Sequence, residues 1–527
     1  MTDMTIRFLI LFVGMGFVTF EFVLSKFFRK HLHISKWALA LYAAANILFV
    51  AYVWVNHINF PLNLDVMEST VLQHFERAAA LQPIYPEPTP EYIPLAYNPL
   101  YYVLSIPFAW LFGVNLFTLR FVAILGTIGS GWILFRIVRE RTSSVWWGII
   151  AVGLFAASYR AMDAYLDTAH ADSWLLFSAL LGSYLIARNR SQSWNLIGVA
   201  VLVASFWIKQ HGALFAIGGL LFLTLREGIR RSILFWVYAC IFGPIFYFLA
   251  GPLLFGSHFI YFTWEVPRRW SVLNPDTFRH FFGWTIKSYP ILALSSGLEV
   301  VRTFVKNLKG VSIWHFQSIF AVLSGFMGAL DPGSAENVFI PMGTWFILIG
   351  ILGLYTLVSQ AQVAKKLNLH SVALVISFAI LSYSPTSVII SPRADESYSD
   401  LIKHLNSLPG QVYAPMVGQL QEGFEFYPAA HWVALEDMIR GPGREIMGQP
   451  STRRQLDSLI TPNGQTYILH NFPLEIDPML GFLSDHYVLD TDFEDRFEPL
   501  NVLPGRYAEY EAYPRYLYRF ELEANSN

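Results

Sequence analysis

Two carboxylates, Asp65 and Glu68, stand three positions apart in LDVMESTVLQHFERAAALQPIYPEPTPEYIPLAYNPLYYVL, the first long polar interruption of a strongly apolar chain. In a helix that spacing puts both on one face. A carboxylate there can serve as general base toward an acceptor hydroxyl or amine, provided that an oxygen reaches the proton it removes. A solvated interfacial helix would carry the same residues with no chemistry attached. A second acidic cluster, YRAMDAYLDTAHADSW, sets Asp163, Asp167 and His170 at spacings of four and three on one helical face, and Asp172 follows just before an apolar run. N-capping alone would account for Asp172. The donors of Asp65, Asp163, Asp167 and His170 suit Mg²⁺, Mn²⁺ or Zn²⁺. Linear spacing does not establish coordination, so a divalent metal is left open, and no cofactor signature is found.

Cations follow further along the chain. Lys209, with Gln210 and His211, interrupts the apolar hairpin SFWIKQHGALFA. An ammonium there can pair with an anion and stabilise developing negative charge, or simply snorkel to the interface. Arg268 and Arg269, in WEVPRRW, are flanked by Trp264 and Trp270, which suits either a catalytic lipid-phosphate contact or plain headgroup binding. DPGSAENVFIPM adds Asp331, Glu336 and Asn337. Turn chemistry explains Asp-Pro-Gly by itself, leaving Glu336 and Asn337 as candidates.

The elements that must position these groups are set by composition. With 54% hydrophobic and 16% aromatic residues in 527, and with apolar runs near the roughly 20 residues that cross about 30 Å of hydrocarbon, the chain reads as an all-α polytopic membrane protein. About twelve spans are expected, near 5–25, 37–56, 115–136, 144–160, 172–188, 194–208, 211–225, 232–254, 283–304, 311–330, 339–359 and 370–390. Loops holding Lys26/Arg29/Lys30, Arg136/Arg139/Arg141, Arg188/Arg190, Arg226/Arg230/Arg231, Lys306/Lys309 and Lys365/Lys366 then share one side, which the positive-inside rule makes cytoplasmic. That count requires PLYYVLSIPFAWLFG, from Pro99 to Gly113, to lie in the interface instead of crossing. The candidate residues all fall on the opposite side, in loops 57–114, 161–171, 209–210, 256–282 and 331–338. The apolar run from Ile6 to Leu24 ends in SKFFRKH without a small-residue cleavage site and reads as a retained span.

The formal net charge of −2 conceals an asymmetry: residues 393–527 hold 21 acidic and 10 basic side chains, residues 1–392 hold 17 and 26. Basic residues concentrated in short loops are a topology signal and do not point to nucleic acid. Cys240 is the only cysteine, so no disulfide or cysteine metal site forms within one chain. Residues 1–392 are expected to form the membrane module with its outer loop 57–114, and residues 393–527 a small soluble α/β domain. In that domain ESYSDLIKHLNSL and STRRQLDSLI read as helices, QVYAPM and QTYILH as strands.

The succession of Asp65, an alanine-rich helix, PIYPEP, AYNPLYYVLSIPFAWLFG and Leu119-Arg120 opening the next span resembles the first outer loop of GT-C glycosyltransferases. The resemblance is to the family 39-like branch related to protein mannosyltransferases and aminoarabinose transferases. It covers roughly residues 40–350 and is strongest over 64–141. Those families carry an Asp-Glu pair where this chain has Asp65, Val66, Met67 and Glu68, so Asp65 matches the acid and Glu68 is only its neighbour. The resemblance implies an inverting transfer of a sugar from a polyprenyl-phosphate donor to a lipid, glycan or protein acceptor, outside the cytoplasmic membrane. Asp65 would be the base, with one of Asp163, Asp167 and Asp172 as a second acid. Lys209, with Gln210 and helped by Arg268 or Arg269, would hold the donor phosphate among membrane lipids. Two other classes remain in view. A transporter or lipid flippase would keep ionisable groups at mid-membrane, where this chain has almost none, and a noncatalytic envelope scaffold would use the C-terminal domain as its binding surface.

Overall fold

A computed structural model describes residues 2–28, 33–89, 91–189, 191–306, 310–360, 368–418, 423–428, 430–439, 466–501 and 513–521. The chain is mostly helical, in the order α1 Asp3–Phe28, α2 Ile34–His57, α3 Glu68–Ala79, α4 Leu100–Phe112, α5 Leu116–Thr142, α6 Val145–Ala157, α7 Asp172–Arg188, α8 Gln192–Ile208, α9 Gly212–Glu227, α10 Ile229–Cys240 and α11 Phe246–Phe255. There follow α12 Val266–Trp270, α13 Pro275–Ser288, α14 Pro290–Lys306, α15 Ile313–Gly328, α16 Ile340–Gln360, α17 Leu369–Leu381, α18 Ala394–Asn406 and α19 Trp432–Ile439.

Five stretches among the described residues are long and apolar enough to cross a membrane: α1, α2, α5, the continuous α10–α11 and Glu336–Gln360. Their outward faces are bare apolar surface, with Phe12 81% and Leu253 86% exposed, as expected of helices that face lipid and not water. Between α10 and α11 the helix passes through a π-turn at Ile241–Ile245, where Gly243 adopts φ −91°, ψ −107° before Pro244, the kind of local cause that bends a long helix. One expected span is displaced. The run at 283–304 is broken, because Pro290 lacks an N–H and crowds its predecessor out of helical geometry; Tyr289 accordingly takes φ −133°, ψ 33°, and α14 starts only at Pro290. Helix α4 has 13 residues, about 20 Å at 1.5 Å per residue, shorter than a bilayer core.

The C-terminal region forms a four-stranded sheet of order β1-β2-β4-β3, from Gln411–Tyr413, Thr466–His470, Tyr487–Asp492 and Tyr516–Phe520 taken as β1 to β4. The β1/β2 pair is parallel and the other two are antiparallel. Helix α18 buries Leu401 and Leu405. The helix expected at 451–460 lies outside the described residues, as do Arg29, Lys30, Arg190, Lys309, Lys365 and Lys366 of the basic loops.

This sheet domain is latched onto the 57–114 loop by polar contacts. Asn63 Nδ2 donates to the Met416 carbonyl at 3.0 Å and to Ser69 Oγ at 2.9 Å. His431 Nδ1 accepts from the Val433 N–H, leaving Nε2–H for Ser69 Oγ at 2.8 Å. Gly418 lies over this contact with φ +88°, and a Cβ there would stand 2.5 Å from Ser69 Cβ. Gly418→Ala is therefore expected to cost about 1–3 kcal/mol through overpacking and a strained backbone, seen as faster proteolytic release of the C-terminal domain; unchanged cleavage kinetics would contradict this latch.

Candidate active site

The 57–114 loop is held from the start of α5. Arg120, fully buried, donates from Nη1 to the carbonyls of His57 and Phe60 at 3.1 and 2.6 Å, and from Nη2 to that of Leu62 at 2.6 Å. Its remaining N–H groups meet Glu68: Nε to Oε1 at 3.1 Å and Nη2 to Oε2 at 2.6 Å. Glu68 also accepts from Ala169 N at 2.7 Å and Leu64 N at 2.6 Å. Its two oxygens are fully engaged in joining α5, the loop and the 158–171 segment, which is the work of a structural clamp.

Asp65, one turn earlier, is bonded differently. Oδ1 accepts from Met67 N at 3.0 Å, and Oδ2 accepts from the Tyr165 hydroxyl at 2.7 Å. Further along the loop, buried His74 donates from Nδ1 to the Thr70 carbonyl at 2.7 Å and accepts on Nε2 from Leu95 N at 2.8 Å, so a neutral ring ties the Pro/Tyr-rich run back to α3. The Tyr85 hydroxyl closes the run on the Tyr97 carbonyl.

Across from this loop, Asp172 at the start of α7 gathers three partners. Lys209 Nζ donates to Oδ1 at 2.7 Å, Asn337 Nδ2 donates to Oδ2 at 2.9 Å, and His170 Nδ1 also meets Oδ2. Lys209 further lies 5.6 Å from the Tyr97 ring centre. The His170 ring meets those of Tyr97 and Tyr165 edge-on at 5.2 and 5.6 Å, and its Nε2 is buried with no partner among the described residues. Gln210 Nε2 donates to the carbonyls of Ala96 and Thr263 at 2.8 and 2.9 Å, pinning the Lys209 turn between the loop and the segment before α12.

These groups border one cavity of about 330 Å³, whose walls include Tyr97, Tyr165, Lys209, Arg268, Asn337 and Asp437. Its walls are mostly apolar, with Lys209 and Arg268, the carboxylates Asp331 and Asp437, and Tyr165, whose hydroxyl bonds Asp65. Of the residues expected from sequence, Lys209, Gln210, Arg268 and Asn337 line it, and Asp65, His170 and Asp172 stand directly behind its walls through Tyr165, Tyr97 and Lys209. Five do not join them, Glu336 among them, since it lines a different cavity. Glu68 is held by Arg120; Asp163 pairs with Arg160 at 2.9 Å; Asp167 bonds buried His57 at 2.8 Å and the Tyr159 hydroxyl at 2.6 Å; Arg269 does not border the cavity. The face-sharing predicted for Asp163, Asp167 and His170 is lost because residues 159–171 form successive turns, with Asp163 and Ala164 at φ +53° and +57°. Asp65, Asp163, Asp167 and His170 thus have separate partners and do not present a shared metal site.

Sequence reasoning missed Tyr165, Tyr97 and Asp437. Tyr165 lies between two acids already singled out, and a tyrosine in an acidic loop is a signal that could have been read; Asp437 belongs to a domain given no part in the site.

The buried His74 and His431 both have their pKa held down to about 3 by burial, against an ordinary 6.5. The unfolded chain therefore binds more protons between pH 6.5 and 3, so stability falls as pH drops through that window. Amide exchange in residues 64–104 and 411–439 is expected to accelerate between pH 7 and 5 after correction for intrinsic rates; flat protection would contradict neutral, buried rings.

No family model and no curated protein matches the chain. Its fold is similar to ArnT from Cupriavidus metallidurans, in the apo state and bound to undecaprenyl phosphate. Each of those structures is 12% identical with a TM-score of 0.49, covering 90% and 91% of this chain and 97% of the ArnT chain. It is also similar to the Archaeoglobus fulgidus oligosaccharyltransferase in complex with Zn and sulfate, at 11% identity and a TM-score of 0.43, over 70% of this chain and 56% of that one. ArnT and that oligosaccharyltransferase both have the GT-C fold. At these identities and TM-scores no activity passes from them to this chain, and function has to be argued from the cavity.

Proposed function

We propose that this chain is a multi-pass inner-membrane glycosyltransferase of GT-C type, with residues 1–392 as its membrane module and 393–527 as an extracytoplasmic domain that closes the site. The observation that carries the reading is a cavity lined by Lys209, Arg268 and Tyr165, the last of which donates its hydroxyl to Asp65 at 2.7 Å. Two cations on apolar walls suit a phosphate on a polyprenyl chain. The acceptor oxygen attacks the anomeric carbon with inversion as the carbon–oxygen bond to phosphate breaks, and the bonding pair leaves with the phosphate. Lys209 and Arg268 meet the charge that develops there. The acceptor proton passes to Tyr165 as the Tyr165 proton passes to Asp65, or goes directly to Asp65 where the acceptor displaces that hydroxyl. Asp172, with Asn337 and His170, positions Lys209. Asp65, Asp163, Asp167 and Asp172 fall between or at the ends of the apolar helices, whereas a transporter is expected to hold its ionisable groups along mid-membrane.

The test is transfer by the purified chain in lipid, using polyprenyl-phosphate sugars as donors and extracted envelope lipids and glycans as acceptors, with products read by mass spectrometry. A mass gain of one sugar that depends on the chain is expected. Flux of the lipid without any transfer would reject the reading. Lys209→Met is expected to lower kcat/KM about 10²–10³-fold, the range typical for losing one transition-state charge contact; a change under threefold would remove Lys209 from the phosphate site.

A further inference from the structure

A second cavity, of about 360 Å³, takes no part in this chemistry. Arg160 and Asp163 line it, whereas Tyr165 of the same segment lines the first, so the 158–171 turns separate the two. Its other walls come from the start of α1, with Asp3 and Arg7, from α13, with Arg279 and Lys287, and from Glu336. Four cations thus converge from three parts of the chain against three carboxylates. Two of those carboxylates already have partners, Asp163 accepting from Arg160 and Asp3 Oδ1 from Ser384 N at 2.7 Å, while Arg279 Nη1 donates to Asp276 Oδ1 at 2.6 Å on the exposed rim. Arg7 uses Nε on the Ser382 carbonyl at 3.1 Å, and Lys287 makes no ion pair among the described residues.

Helix α13 tells what kind of molecule reaches this cavity. It opens with a capping box between Asn274 and Thr277 and stops at Pro290, so its register is fixed at both ends. Phe278, Phe282 and Ile286 recur every four residues and are all exposed. Arg279, Gly283 and Lys287 repeat with the same spacing one residue later, about 100° round the helix, and line the cavity. A bare apolar stripe beside a cationic one is the pattern of a helix lying in a membrane interface, with its apolar face among acyl chains and its cations at headgroup level. On that pattern the cavity mouth lies at headgroup level.

We propose that this cavity binds the phosphate headgroup of an amphiphile in the leaflet along α13, separate from the Lys209 cavity. The proposal rests on the membrane reading of the chain and not on its transferase chemistry.

The experiment uses the full chain in nonionic detergent, in a Lys209→Met/Arg268→Gln background that silences the first cavity, titrated with phosphatidylglycerol micelles and read by native mass spectrometry. Saturable binding is expected. Arg7→Gln/Lys287→Gln should weaken it at least tenfold. So should Gly283→Glu, which removes no contact, because a Cβ at Gly283 meets nothing within 4 Å; an unchanged melting temperature for that variant separates loss of binding from loss of fold. Undiminished binding by both variants would overturn the proposal, as would absence of saturable binding. Competition by inorganic phosphate at equal concentration would replace the lipid headgroup with a free anion and overturn it too.

Discussion

Asp65→Asn is expected to reduce glycosyl transfer about 10³-fold, within the 10²–10⁴ range that a positioned general base contributes, while leaving donor binding and folding intact. Asparagine keeps the shape, and its Oδ1 can still accept from Tyr165 or from Met67 N, the two bonds that hold Asp65. What it loses is the capacity to take a proton. On the proposed reading the donor phosphate is held elsewhere, at Lys209 and Arg268, so KM for the donor should move little while kcat falls, the split expected when an interaction made only in the transition state is removed. Tyr165→Phe, measured alongside, should lose less if the acceptor can reach Asp65 directly. Turnover of Asp65→Asn within tenfold of the parent would exclude Asp65 as the base.

Glu68→Ala should act on the fold. Removing this carboxylate leaves the Arg120 guanidinium buried without its counter-charge, and strands the Leu64 and Ala169 N–H groups as well. Breaking a buried pair from one side costs about 3–5 kcal/mol, here concentrated where α5 grips the loop. Heating the detergent-solubilised variant should aggregate it well before the parent, and protease should enter residues 58–68 first. Glu68→Gln, which still accepts from Arg120, should recover part of the loss. A Glu68→Ala chain that melts with the parent but cannot transfer sugar would instead place Glu68 in the chemistry. Two acids three residues apart are thus expected to fail in different assays.

Much of the framework was legible because apolar periodicity and length are one-dimensional signals. The helices α7 and α8 fall close to the runs read as spans, and the break at Pro290 follows from a residue visible in the sequence though not weighed. The site was legible only residue by residue. Lys209 and Asp172 could each be suspected from charge in an apolar setting, but their 2.7 Å contact joins positions 37 apart. The helical-face argument failed for residues 163–170 because two left-handed residues, Asp163 and Ala164, turn the chain between them. No periodicity announces that. Asp437 was hidden for another reason: its domain reaches the cavity only by docking, with the Trp270 indole donating to the Asp437 carbonyl at 2.9 Å.

The latch between Ser69 and His431 joins residues 362 positions apart, which fixes an order of assembly during synthesis. Ser69 leaves the ribosome early, and its partner arrives only after every membrane helix has been made. Until then Asn63 and Ser69 have no docking surface, and the cavity lacks the wall carrying Asp437. A nascent or truncated chain therefore lacks both the latch and the Asp437 wall until residues 430–439 dock on the first loop.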